Sequence, residues 1–219
     1  NRVVFGLGAR GSLLLAKMRS AMISSKLGHR LDSTLAKLIK VVFRSNNLNP
    51  TYFTLLGLLV NILAAAAFVY GNWLLAGFLV LSAGLFDMLD GAVARAFGRV
   101  TRFGGFLDSV IDRYSDLVLL IGLIIYFANN DNMQLLVLTA VVSIGTILVP
   151  YTRARAEVFI PHCDVGVMER AERIILLALG GIFQDIFNLM PLVLWVLAIF
   201  THLTVFHRIY YTWKEAQKL

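Results

Sequence analysis

Asp87-Met88-Leu89-Asp90-Gly91-Ala92-Val93-Ala94-Arg95, followed by Gly104, Asp108 and Asp112, is the stretch that decides how this chain is read. Its four carboxylates, with Asp116 as a fifth, fall inside two largely apolar runs, 73–97 and 104–127, each long enough to cross a hydrocarbon layer that takes about 20 helical residues. An acid at that depth costs at least about 2.5–3.5 kcal/mol on insertion scales, so it usually marks a site. Asp87 and Asp90 are three apart and Asp108 and Asp112 four apart, so each pair shares one helix face. The depths also agree. Asp87 lies roughly 21 Å along a helix begun at Trp73, and Asp112 roughly 12 Å along one begun at Gly104 in the opposite direction. In a layer about 30 Å thick these positions meet. Two antiparallel helices therefore gather four carboxylates beneath one membrane face.

The rest of the chain supplies the membrane. Of 219 residues, 58% are hydrophobic and 15% charged, with a mean hydropathy of +0.77. A soluble domain is about half apolar and about a quarter charged, so the excess apolar surface calls for lipid. Further apolar runs at 52–70, 133–158, 171–189 and 191–211 bring the expectation to six transmembrane helices in an all-α integral membrane protein. The fifth run is the weakest, interrupted by Gly180-Gly181, Gln184 and Asp185. Nine Lys and Arg precede the first run, and all the remaining basic residues but Arg113 cluster around alternate connections and the chain's end, whereas the three opposite connections have none. That asymmetry predicts both termini in the cytoplasm. It also accounts for the net charge of +7 without a nucleic-acid partner, for which no binding motif is present. A single cysteine, Cys163, excludes an intramolecular disulfide and a Cys-rich metal site.

Residues 1–48 read as an N-terminal segment and 49–219 as the transmembrane domain. Within the first, 25–44 sets Leu27, Leu31, Leu35 and Leu38 against a basic opposite face. Such spacing fits a helix lying in the membrane interface, or equally an ordinary amphipathic helix packed on the protein.

Four clustered carboxylates repel one another and take up protons unless cations sit among them. All-oxygen ligation suits Mg²⁺, Mn²⁺ or Ca²⁺ rather than zinc. Two such ions are suited to clamp a pyrophosphate and stabilise both the attacking and the leaving oxygen. Gly91 and Ala94, small residues on the turn after Asp90, let a ligand approach the backbone closely.

The spacing resembles the signature of the CDP-alcohol phosphotransferase family at every fixed position, from Asp87 through Asp112. The resemblance implies that Asp87, Asp90, Asp108 and Asp112 ligate two metal ions, Mg²⁺ or Mn²⁺, and that Asp112 is also the general base. It implies that Asp90, Gly91, Ala94, Arg95 and Gly104 line the site of a CDP-linked donor such as CDP-diacylglycerol. Family members often carry Pro-Asn before the first span, where this chain has Asn49-Pro50-Thr51, although Thr54 matches a frequent threonine. Asp116 stands outside the signature and is read as a partner for Arg113.

The second half bears on the acceptor. Arg153 and Arg155 end the fourth run with Glu157, Arg170 and Arg173 open the fifth, and Arg208 closes the sixth. Arginine suits multidentate phosphate binding, so helix ends converging there make a second anion site, unless these residues only anchor helix ends. The Arg153-Ala-Arg155-Ala-Glu157 and Glu169-Arg-Ala-Glu-Arg173 elements resemble the phosphatidylinositol-phosphate and archaetidylinositol-phosphate synthases of that family. This implies that Arg153, Arg155, Arg173 and Arg208 bind the phosphate of myo-inositol 1-phosphate, with glycerol 3-phosphate as the rival acceptor. It further implies a homodimer in a prokaryotic cytoplasmic membrane. A divalent-cation transporter, the competing class, would line a path across the whole bilayer, whereas here the acids stop in one half.

Overall fold

The computed structural model describes residues 50–98 and 100–218, and these form seven helices with no strand. In chain order they are α1 (Pro50–Val69), α2 (Trp73–Ala96), α3 (Arg102–Asn129), α4 (Met133–Ala156), α5 (Arg170–Ile182), the single turn α6 (Gln184–Phe187) and α7 (Met190–Ala216). The segment 1–48, with the helix expected over 25–44, lies outside the described residues.

Asparagine builds both tight hairpins. Asn72 caps α2 by accepting from the Leu75 amide at 3.4 Å, and Asn132 caps α4 by accepting from the Leu135 amide at 3.1 Å. Gly71 at φ 71° and Asp131 at φ 53° turn the chain through the left-handed region just before each cap. At the opposite end α3 starts on Thr101, whose hydroxyl accepts from the Gly104 amide at 2.9 Å. This fixes where the Asp108–Asp112 face begins.

Helix α1 packs on α2 and α3, α2 on α5, and α4 on α7. Lipid tails are as apolar as leucine, so helices in a bilayer associate through close packing rather than hydrophobic burial, and small residues mark the contacts. A Cβ on Gly122 of α3 would lie 2.6 Å from the Ala65 carbonyl oxygen of α1. One on Gly77 of α2 would lie 2.7 Å from the Ala178 carbonyl oxygen of α5. Around these contacts Phe68, Leu119, Leu120, Leu123, Met190 and Leu194 are buried. Large apolar side chains point outward instead on the rim, among them Leu59 at 52% exposure, Ile144 at 54% and Leu203 at 54%, as a lipid-facing surface requires.

Four helices, α1, α2, α4 and α7, are long and apolar enough to cross a membrane. Helix α3 has the length, 28 residues, but even its last 18 residues hold Asp112, Arg113 and Asp116. The fifth run departs from the expectation of a continuous span over 171–189. Helix α5 has 13 residues, about 20 Å at 1.5 Å per residue, short of a layer about 30 Å thick. The residues that interrupt the run are used to end it. Gln184 accepts from the Met190 amide at 2.7 Å and donates to Asn188 Oδ1 at 2.7 Å, while Asn188 turns at φ 48°. Gly181 lets α5 approach Gly77, where an added Cβ would lie 3.1 Å from the Gly77 backbone.

Candidate active site

The α2–α3 pair brings three of the four expected acids together. Carboxylate oxygens of Asp87, Asp90 and Asp108 lie within 4.8 Å of one another. Asp90 is 7% exposed and accepts a hydrogen bond from the Thr54 hydroxyl at 2.7 Å, which ties α1 to the cluster. Asp108 Oδ1 is buried and has no hydrogen-bond partner. A buried carboxylate oxygen without a donor is a strained arrangement, and three converging acids with such an atom fit a hard divalent cation.

Beside the triad opens a cavity of about 920 Å³. Asp90, Gly91, Ala94, Arg95 and Gly104, the residues expected to line a donor site, all line it, together with Asp108, Thr54 and Thr101. Gly91 faces it without a side chain; a Cβ there would come within 3.1 Å of the Arg95 guanidinium. A volume near the upper end of ordinary ligand pockets, about 300–1,000 Å³, admits a nucleoside diphosphate.

Asp112 stands differently. Its Oδ1 pairs with Arg170 Nη1 at 2.8 Å, outside hydrogen-bonding geometry, and the same Nη1 lies 2.6 Å from Asp87 Oδ1. Arg170 Nε reaches Asp116 at 3.4 Å. Asp116 is buried, and its other oxygen accepts from Arg173 at 2.6 Å. The pairing of Asp116 with Arg113 expected from proximity in sequence is therefore replaced. Arg113 donates to the Ser109 carbonyl at 2.7 Å and lies 3.6 Å from Asp112. A spacing of three would allow that pair, but the α5 arginines reach Asp116 from the neighbouring helix while Arg113 folds back on its own helix. Arg170 was not among the residues expected at the site. Its spacing of three from Arg173 at the head of α5 is the signal that both face the same acids.

The four arginines expected at the acceptor phosphate divide into three environments. Arg153 pairs with Glu157 at 3.1 Å, Asp164 at 2.8 Å and Glu169 at 3.6 Å. Arg208 is 2% exposed; it donates to the Val165 carbonyl at 2.8 Å and to the Val149 carbonyl, and its Nη2 lies 3.5 Å from Glu169. Glu169 thus joins Arg153 to Arg208. Arg173 belongs to Asp116 instead, and Arg155 is exposed, stacked over the Phe159 ring at 5.2 Å. The loop 157–169 that supplies Asp164 and Glu169 is clamped to α7, since Thr204 accepts from the Val167 and Met168 amides at 3.3 and 3.2 Å.

An acid triad beside a small-residue cavity lined by α1, α2 and the start of α3, with α5 arginines on Asp87 and Asp116, suits a multi-pass membrane protein that handles phosphate-linked groups. The chain belongs to the CDP-alcohol phosphatidyltransferase family, whose sequence model matches residues 47–207. It is accordingly a CDP-alcohol phosphotransferase. It is 34% identical over 195 residues to the archaetidylinositol phosphate synthase of Pyrococcus horikoshii, covering 89% of this chain and 96% of that one. Its fold matches the crystal structure of Mycobacterium tuberculosis phosphatidylinositol phosphate synthase with CDP-DAG bound, at a TM-score of 0.72 and 30% identity, over 84% of this chain and 94% of the other. The same M. tuberculosis enzyme in complex with manganese and citrate matches at a TM-score of 0.72 and 30% identity, covering 83% and 88%. The family is metal-dependent, in keeping with the chemistry of the triad.

Proposed function

We propose that this enzyme transfers the phosphatidyl-type group of CDP-diacylglycerol, or of its archaeal ether analogue, to myo-inositol 1-phosphate and releases CMP. The observation that carries the proposal is a chain of ion pairs from the acid triad, whose Asp90 and Asp108 line the cavity, through Asp87 and Arg170 to Asp116 and Arg173, with the neighbouring Glu169 pairing Arg153 and Arg208 at the ends of α4 and α7. The names borne by the relatives support the same acceptor.

Asp87, Asp90, Asp108 and Asp112 would hold two divalent cations, Mg²⁺ or Mn²⁺, whose charge offsets that of the donor pyrophosphate and stabilises the attacking and leaving oxygens. Asp90, Gly91, Ala94, Arg95 and Gly104 hold the CDP group in the cavity they line. Asp112 takes the proton of the acceptor hydroxyl. That oxygen then attacks the lipid-bearing phosphorus, the bond to the CMP phosphate breaks, and CMP leaves with the bridging oxygen. Arg153, Arg155, Arg173 and Arg208 orient the acceptor through its phosphate. The transferable requirement is a phosphate on the acceptor, which free inositol and serine lack.

Six apolar runs and the charge asymmetry between their connections support six passes with both termini and the site on the cytoplasmic side of a prokaryotic membrane, with α3 and the broken α5–α6 segment completing the set begun by the four apolar helices. Residues 1–48 form an appended segment, and the functional unit is a homodimer.

The test is an acceptor screen. Purified protein in detergent with labelled CDP-diacylglycerol and Mg²⁺ is offered inositol phosphate, glycerol 3-phosphate, inositol and serine separately. Inositol phosphate should be used, and turnover should stop in excess EDTA and return with Mg²⁺ or Mn²⁺. Use of glycerol 3-phosphate alone would keep the arginine site and change the acceptor. Use of serine or free inositol alone would remove the arginine argument.

A further inference from the structure

Arg170 sits where a positive charge is most needed and where it is most in the way. One nitrogen, Nη1, is 2.6 Å from Asp87 and 2.8 Å from Asp112, two of the four acids assigned to cation binding, and Nε is 3.4 Å from Asp116. Asp87 is also a member of the converging triad. The guanidinium is one-fifth exposed and is held at the head of α5, whose following turn is anchored by Arg173 on the same Asp116. Four carboxylates in so small a space repel one another strongly, and Arg170 is the group that offsets this repulsion within the protein itself. We propose that Arg170 is a built-in counter-cation, a positioning residue that bridges Asp87 and Asp112 in the metal-free enzyme and competes with the divalent cation for them.

This inference rests on the metal reading of the aspartates. Two consequences follow from competition. A carboxylate held by a guanidinium has to exchange that contact for the incoming cation, so Arg170 lowers the apparent cation affinity while keeping the acids in register without one. Asp116 has a role in the exchange: buried and outside the triad, it retains a contact with Arg170 Nε when Nη1 gives up Asp87 and Asp112. Release of Asp112 also frees the base for the acceptor hydroxyl, so cation loading and base availability are joined through one side chain.

The experiment is Mn²⁺ titration of purified wild type, Arg170→Gln and Arg170→Lys in detergent. Free Mn²⁺ is read by electron paramagnetic resonance, and the melting temperature is measured with EDTA and with saturating Mn²⁺. Arg170→Gln should bind Mn²⁺ at least about tenfold more tightly, about 1.4 kcal/mol. It should melt lower than wild type in EDTA, with the deficit largely closed by Mn²⁺. Lysine keeps the charge but not the planar fork that spans two acids, so Arg170→Lys should tighten binding severalfold as well, and it guards against a glutamine variant too unstable to purify. Wild-type Mn²⁺ affinity in Arg170→Lys would overturn the bridge, as would weaker Mn²⁺ binding in either variant or an equal melting deficit with and without Mn²⁺. Failure of wild type to bind Mn²⁺ at all would instead overturn the metal reading on which the proposal stands.

Discussion

The two sides of the active site carry opposite charges and hold them in opposite ways. On the α1–α2–α3 side, acids converge with few partners: three carboxylates lie within 4.8 Å, and Asp108 Oδ1 has no donor. On the α4–α5–α7 side each of the four arginines already has company: Glu157, Asp164 and Glu169 for Arg153, Asp116 for Arg173, two carbonyls and Glu169 for Arg208, and the Phe159 ring for Arg155. The acid side is short of positive charge and fits a cation from outside. The basic side is neutralised internally, so an incoming anion must exchange with resident carboxylates. Its affinity is then a difference between two sets of contacts, which favours a ligand able to engage several arginines at once.

The contrast between the two sides depends most on Asp112, which contacts Arg170 of the basic side. Asp112→Asn keeps the shape but removes the base, so turnover should fall by about 10²–10⁴-fold while CDP-diacylglycerol still binds. Asp87→Asn should instead weaken cation and donor binding together. Steady-state rates combined with donor-binding titrations separate the two. Equal and complete loss of donor affinity in both variants would leave Asp112 without a distinct base role.

A smaller effect discriminates among the arginines. Removing a charge-assisted contact is worth about 1.5–3 kcal/mol, so Arg153→Ala should raise acceptor KM by roughly 10- to 150-fold with donor KM little changed. Arg153→Lys should restore little of it. Arg155 lies exposed over Phe159, away from Glu169, and Arg155→Ala should raise acceptor KM only about threefold if the bound geometry stays close to this one. Equal effects at the two positions would show that Arg155 swings inward on binding and would erase the distinction drawn between them. Both Michaelis constants, measured for each variant, settle it.

A last effect, on cation binding, is expected at Thr54, whose hydroxyl ties α1 to Asp90. Thr54→Val removes one hydrogen bond to a carboxylate at nearly constant volume. Apparent Mg²⁺ affinity should weaken by about tenfold or less, since such a bond is worth at most about 1.5–3 kcal/mol and cation binding recovers part of it. Thr54→Ser should restore it. An unchanged Mg²⁺ dependence of turnover would mean that Asp90 is held in place by α2 alone.

Residues on helices of known register were the easiest to place. Asp87, Asp90 and Asp108 meet because spacings of three and four on antiparallel helices leave little freedom. The donor set from Asp90 to Gly104 lines one cavity because Thr101 caps α3 beside the end of α2. Arg170 and Glu169 were missed as site residues. Nothing local distinguishes a helix-end arginine that anchors the chain from one that reaches into an acid cluster on another helix. The same blindness produced the Asp116–Arg113 pairing, in which nearness along the chain stood in for direction. In the fifth run the sequence shows the interruption at Gly180-Gly181, Gln184 and Asp185 but not the hydrogen bonds of Gln184 that close a turn there.

Hydropathy, turn chemistry and the fixed rise and rotation of a helix were enough to read the membrane setting, the all-helical class, the two hairpins and three of the four expected acids as neighbours. Only the tertiary structure decided which charge faces which: that Asp112 answers to Arg170 rather than joining the triad, that Asp116 gathers two arginines from α5, and that Glu169 stands between Arg153 and Arg208. Backbone geometry is dictated within a few residues. The partner of a long flexible side chain is set by Coulomb attraction between elements that meet only once the helices have packed.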